Sequence, residues 1–186
     1  REATRINDLI EQLLQLARLD SGEVEGDTQR LDLAHLLGDV VADADYEAQE
    51  TKRAVRILSS QQCYLNGSLS LVASAIENVV RNAVRYTNPN TIVEVTLQCA
   101  LEGQQLIATV RVRDHGPGVP EEALEKLFRP FYRVADARDR ATGGVGLGLA
   151  ITERAIHSHG GSVKAQNAPG GGLVVELKLP VEMENK

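Results

Sequence analysis

Between Asn66-Gly67-Ser68 and Thr87, the run Leu69 to Tyr86 places apolar residues at the period of an α-helix. Ser68 is its candidate N-cap. Val72, Ile76, Val79, Val80 and Ala83 share one side, so the spacing predicts a helix lying on a sheet. Asn78, Asn82 and Arg85 fall within about 60° of one another on a different side, at roughly 100° per residue. Two carboxamides and a guanidinium in one stripe can hold a hydrated divalent cation and a polyphosphate. Asparagine offers an oxygen ligand without adding negative charge, and arginine offers charge-assisted donors. A solvated polar face has the same pattern, so the stripe gains meaning only from its surroundings.

The second informative stretch is Thr142 to Ala150. Gly143, Gly144, Gly146 and Gly148 put four glycines in six positions, directly ahead of a predicted helix from Leu147 to His159. Without a Cβ the backbone admits a phosphate closely, and a helix start aims free N–H groups at an anion. No Gly-Lys-Ser/Thr follows, as a Walker A loop demands, and no strand leads into it as in a dinucleotide fingerprint. A flexible loop would read the same way in isolation.

Thr91 to Ala100 and Gln104 to Arg113 alternate as strands and are joined across Glu102-Gly103, which predicts an antiparallel hairpin. The second strand runs into Asp114-His115-Gly116-Pro117-Gly118, a rigid turn that sets a carboxylate at the sheet rim. Asp114 can accept a hydrogen bond from an exocyclic amine such as that of adenine. An aspartate capping its own turn is the alternative.

Elsewhere, Ile6 to Ala17 has helical spacing and ends at Asp20-Ser21-Gly22, as does Leu36 to Ala44 within a helix from Ala34 to about Glu50. Leu31 to Leu33 reads as a short strand, and Ala54 to Leu58 with Gln62 to Leu65 as a hairpin. Glu121 to Leu127 is a short helix, followed by Phe128-Arg129-Pro130-Phe131-Tyr132-Arg133 and a polar loop from Val134 to Thr142. Ser162 to Asn167 and Leu173 to Leu179 close the chain as a strand pair. With 42% hydrophobic residues but only 3% aromatic ones, aliphatic side chains must fill the core. A net charge of −6 argues against nucleic acid as a partner. Cys63 and Cys99 show no metal spacing and read as two reduced, buried thiols. The chain begins at Arg1-Glu2-Ala3, and is expected to be a piece of a longer protein.

Together these pieces resemble the catalytic ATP-binding domain of two-component sensor histidine kinases, in the GHKL superfamily. Asn78-Val-Val-Arg-Asn82-Ala-Val-Arg85-Tyr86-Thr87 is similar to the family's N box and Asp114-His-Gly116-Pro-Gly118 to its first glycine box. Phe128-Arg-Pro-Phe131 is similar to the F box and Gly144-Val145-Gly146-Leu147-Gly148-Leu to the second glycine box. The wording from Phe128 to Ile151 is nearest to envelope-stress sensor kinases of the Cpx type.

The resemblance implies a two-layer α/β sandwich with a mixed, mostly antiparallel sheet and helices on one face. It further implies an ATP-binding domain over residues 31–182, a linker at 23–30, a tail at 183–186, and in residues 1–22 the end of the second dimerisation helix. Asn82 would coordinate Mg²⁺ beside Asn78, with Arg85 on the phosphates and Tyr86 packed near the nucleotide. Asn78 and Arg85 would act in catalysis. Asp114 would read adenine in a pocket shaped by Gly116 and Gly118. Phe128 and Arg133 would border ATP, and Gly144, Val145, Gly146, Leu147 and Gly148 would line the phosphates and hinge a lid. The implied partners are a phosphoacceptor helical hairpin, dimeric in the full-length protein, and a response regulator receiver domain. The implied setting is the cytoplasmic face, with an inner-membrane parent.

The family's acceptor histidine precedes an acidic residue and then arginine, and none of His35, His115, His157 and His159 has that context. His115 is expected merely to face solvent. A GHKL ATPase of the gyrase or Hsp90 kind is a competing reading, but that class carries a glutamate as general base where this chain has Asn78. Glu77 points about 100° away. A nucleotide-binding module without phosphotransfer is a third.

Overall fold

The computed structural model describes residues 2–22 (backbone only to residue 5), 28–134 and 144–183. In chain order the elements are α1 (Glu2–Asp20), β1 (Thr28–Asp32), α2 (Leu33–Gln49), β2 (Ala54–Ser60), β3 (Tyr64–Ser68) and α3 (Leu69–Tyr86). There follow β4 (Ile92–Glu102), β5 (Gln105–Arg113), α4 (Glu121–Leu124), α5 (Gly148–Ser158), β6 (Ser162–Asn167) and β7 (Leu173–Pro180). The fold is an α/β sandwich. Its main sheet has five strands in the order β2-β4-β5-β7-β6, with β2 parallel to β4 and the rest antiparallel.

The layers follow from alternation along the strands. Val93, Val95 and Leu97 of β4 face the core with Ala108, Val110 and Val112 of β5 and Leu177 and Leu179 of β7, all at most 1% exposed. Onto that surface α3 lays Val72, Ile76, Val79, Val80 and Ala83. Ile76 is fully buried, so truncating it to alanine would cost about 2–5 kcal/mol. This burial fixes the rotation of α3 and therefore the direction of its polar stripe. α2 starts where Asp32 accepts the His35 N–H at 2.9 Å and buries Leu33, Leu37 and Val40 in the same core.

Several expectations are revised. The pair Ala54–Leu58 and Gln62–Leu65 is not a hairpin, because β2 runs parallel to β4 and β3 pairs antiparallel with β1. A parallel pair needs a crossover, and α3 supplies it. Val55 can then enter the core beside Val93 (its register partner), while Leu65 meets Leu31 in the small sheet. Residues 28–30 belong to β1 and so are strand instead of linker. Leu33 begins α2. α4 stops at Leu124. Ser68 stands at the start of α3, but its side chain makes no capping bond. Cys63 is fully buried, and burial with the neighbouring Cys99 pushes its thiol far up, whereas Cys99 is only half-buried. The expected lid, Val134 to Gly144, lies outside the described residues apart from its two ends.

α1 is not isolated. Its Leu16 packs on Leu147, Ala150 and Ile151, Asp20 pairs with Arg154 of α5 at 3.2 Å, and the opposite face leaves Ile6, Ile10 and Leu14 exposed.

Candidate nucleotide site

A cavity of about 740 Å³ opens beside α3, within the range of roughly 300–1,000 Å³ common for small-molecule sites. From α3 it is lined by Asn78, Asn82, Arg85 and Tyr86, the residues of the polar stripe and its neighbour. Asp114 and Gly118 contribute from the turn after β5, and Arg133 from the segment after α4. Gly144, Val145, Gly146, Leu147 and Gly148 form the wall ahead of α5.

α3 and α5 are held against each other by Thr152, whose buried hydroxyl bonds the Ala75 carbonyl at 3.2 Å. This contact brings the two polar features of the sequence to one place. The Cβ position of Gly148 lies 3.2 Å from Asn78 Oδ1, and that of Gly144 lies 3.0 Å from Arg85 Nη1. α5 starts at Gly148 with no side chain capping its first turn, so its leading N–H groups are available to an anion. Gly146 sits at φ +83°, and a Cβ there would stand 3.0 Å from the Tyr132 carbonyl. Its own carbonyl accepts the Phe131 N–H at 2.9 Å, which fastens the aromatic segment to the glycine wall.

Asp114 is 5% exposed. Its Oδ1 accepts the Gly116 N–H at 2.8 Å and the Leu173 N–H at 3.2 Å. No hydrogen bond among the described residues reaches Oδ2. One oxygen thus caps the turn, the alternative read from the sequence, while Asp114 also lines the cavity. Burial pushes this carboxyl above the usual carboxylate range, against the two backbone N–H groups, His115 and Arg113. Gly116 is required because a Cβ would stand 2.3 Å from the Tyr86 carbonyl.

Two predicted residues stand outside the lining. Gly116 lies behind the wall at that close approach to Tyr86. Phe128 is 7% exposed and packs inward, so it supports the segment that carries Tyr132 and Arg133 instead of bordering the cavity. Among the lining residues that escaped the sequence reading are Gln12, Arg53, Arg81 and Asn88. Arg81 lies one turn before Arg85 and was legible by period. Gln12 reaches the cavity only because α1 docks on α5, and nothing local signals that. The cavity is thus lined by Arg53, Arg81, Arg85 and Arg133 against Asp114 as its one acidic group among the described residues. That field favours a polyanion.

His115 does not simply face solvent. Its ring contacts Glu94 at 2.8 Å.

Residues 67–183, which include every lining element except Gln12 and Arg53, match the family described as histidine kinase-, DNA gyrase B- and HSP90-like ATPase. The chain belongs to that family. Among relatives in this ATPase family, the sensor histidine kinase CpxA of Escherichia coli is 38% identical over 181 residues, which are 97% of this chain and 38% of CpxA. The sensor histidine kinase WalK of Bacillus subtilis is 27% identical over 185 residues, covering 100% of this chain and 30% of WalK. The chain therefore spans well under half the length of these relatives. Among solved structures, full-length ShkA in complex with AMPPNP superposes with a TM-score of 0.83 at 26% identity, over 100% of this chain and 38% of that one.

Proposed function

We propose that this chain is the ATP-binding catalytic part of a sensor histidine kinase. It moves the γ-phosphoryl group of ATP to a histidine on a helical hairpin dimerisation domain, for relay to a response regulator receiver domain. A phosphorus–nitrogen bond to the imidazole forms as the bond to the ADP oxygen breaks, and the imidazole releases its proton. Residues 31–182 act as the catalytic unit, and residues 1–22 as the end of a dimerisation helix. Among the described residues no helix is long and apolar enough to cross a membrane. The parent is assigned to the inner membrane, with this part at its cytoplasmic face, by analogy with sensor kinases of the CpxA kind.

The observation that carries the transfer reading is the chemistry of the phosphate end. It presents Asn78, Asn82, Arg85 and the uncapped start of α5, with no carboxylate among the described lining residues there. Glu77 is not in the lining. A carboxamide cannot take a proton from water at neutral pH, so this wall binds and orients a triphosphate without activating water.

Adenine fits the other end, where Asp114 Oδ2 would accept from its amino group. The donor set also fits Mg²⁺. Among the described residues no cluster of three or more His, Cys, Asp and Glu could hold a metal, so the ion would take a carboxamide oxygen of Asn82 and phosphate oxygens. Bound there, it would neutralise charge on the transferring phosphates.

Calorimetric titration with ATP, with and without Mg²⁺, tests the binding. Incubation with γ-labelled ATP and a separately supplied acceptor hairpin tests the transfer. Acid-labile label on the hairpin is expected. Absence of ATP binding, or rapid release of inorganic phosphate with no acceptor present, would overturn the reading.

A further inference from the structure

We infer that His115, through Glu94, is a positioning residue that sets the adenine-reading carboxylate of Asp114. The inference rests on the nucleotide reading of the cavity given above. Residue 115 is held at three points. Its ring Nε2 lies 2.8 Å from Glu94 Oε1, its N–H donates to Thr87 Oγ1 at 3.0 Å, and its carbonyl accepts from Asn88 Nδ2 at 2.6 Å. An ionised carboxylate only accepts, so Nε2 carries the proton in this contact.

The hydroxyl partners can be assigned in the same way. Thr91 Oγ1 donates to the Asn88 carbonyl at 2.6 Å, so the 2.7 Å contact between the two threonine hydroxyls is donated by Thr87. Thr87 thereby keeps a lone pair for the His115 N–H. Thr87 is 1% exposed, and its carbonyl accepts from Arg53 Nε at 2.9 Å. Each of these backbone groups is satisfied by structure alone. The ring contact is different. His115 and Glu94 are about a third and a quarter exposed, where water would satisfy both side chains, so the bond adds position more than it relieves burial.

The position it sets is that of the turn. His115 stands between Asp114, which lines the cavity, and Gly116, whose N–H holds Asp114 Oδ1. Glu94 lies on β4, one strand away from the turn, and is steadied by Arg113 at 3.9 Å. The ring bond therefore ties the turn to the sheet, while Thr87 and Asn88 tie it to the end of α3. With both in place Asp114 Oδ2 has a fixed distance to the α3 wall. His115 itself does not line the cavity, so it acts only through that carboxylate.

A residue that positions Asp114 should affect the 6-amino group of the base and leave the phosphates alone. The test is calorimetric affinity for Mg-ATP and Mg-ITP, in which a 6-oxo group replaces the amine. It compares the parent, His115→Ala, His115→Gln (which keeps a donor toward Glu94) and Glu94→Ala (which removes the other side of the same bond). His115→Ala and Glu94→Ala are each expected to lose about three- to tenfold in ATP affinity and less than about twofold for ITP, with His115→Gln recovering at least about half of the loss. Equal losses for the two nucleotides, no loss in either alanine variant, or no recovery with glutamine would overturn the inference while leaving the nucleotide reading intact. A parent chain that binds neither nucleotide would overturn both.

Discussion

Asp114→Asn separates function from folding at one atom. The variant keeps an oxygen where Oδ1 accepts the Gly116 and Leu173 N–H groups, at 2.8 and 3.2 Å in the parent. An NH₂ group then takes the place of Oδ2 and meets the adenine amine donor to donor. Losing a charge-assisted hydrogen bond costs about 1.5–3 kcal/mol, which is roughly 10- to 150-fold in affinity at 1.4 kcal/mol per decade. Stability should move the other way. Because burial raises the carboxyl above its ordinary value, its folded-state contribution is full below the unfolded value and is lost as pH rises through the folded one. Wherever the buried group is ionised it is a liability, and the neutral amide removes it. The expected result is weaker ATP binding with a Tm equal to or above the parent's. The new amide donor also faces the 6-oxo group of ITP, so the preference for ATP over ITP should narrow. Calorimetry with both nucleotides and a thermal melt check all three. Unchanged ATP affinity would refute the placement of adenine, and a lowered Tm would refute the account of the buried charge.

Asn82→Ala should remove the Mg²⁺-dependent part of ATP binding and leave the part measured in EDTA; an unchanged metal dependence would remove Asn82 from the metal site. Asp45 accepts from the Val55 N–H at 2.8 Å and pairs with Arg56 at 2.7 Å. Burial works to raise its carboxyl, and the bonds from Arg56 and Val55 outweigh it, so the group sits below its usual value. That stabilisation is present above the unfolded value and lost as pH falls through the folded one. Asp45→Asn should therefore lower stability by about 1 kcal/mol at neutral pH and flatten the acid end of a Tm-against-pH curve; parallel curves for parent and variant would count against the pair. Incubated alone with γ-labelled ATP, the chain should acquire no acid-labile label. His159 is engaged by the Ser68 N–H at 3.0 Å and the Ala155 carbonyl at 2.6 Å, and α5 separates it from the phosphate end by about 15 Å.

The elements that a local period encodes were legible. α3 runs from Leu69 to Tyr86 as its spacing demanded, and the β4–β5 hairpin closes at Gly103 as Glu102-Gly103 announced. The polar stripe and the glycine run were each ambiguous alone, and only the packing of α5 on α3 brings them to one cavity. What the sequence hid was long-range. The parallel pairing of β2 with β4 depends on a helix lying between them, so no local pattern distinguishes it from a hairpin of β2 with β3. Phe128 belongs to a recognisable motif, yet motif membership does not say whether a ring borders a ligand or supports the backbone that does. His115 read as a solvent-facing residue because its partner, Glu94, is 21 positions away on another strand.

Local irregularity offers a separate argument for the site. Phe131 adopts φ 64°, a conformation that a non-glycine side chain resists at a cost of order 1–3 kcal/mol. Asp114 keeps a buried carboxylate that burial disfavours, and Gly146 and Gly116 hold conformations or approaches closed to other residues. A turn, a strand end and a helix start each have cheaper solutions elsewhere in this same chain, as at Gly103 and at the Asp32 cap of α2. Phe131, Asp114, Gly146 and Gly116 all lie in or beside the cavity lined by Asn78, Asn82 and Arg85, while Lys52 and Asn90 adopt positive φ elsewhere. Local preferences overridden beside a cavity are the pattern expected of a functional site. Among the described lining residues, four arginines stand against Asp114 as the one acidic group, and that charge pattern is what supports the proposed nucleotide polyphosphate.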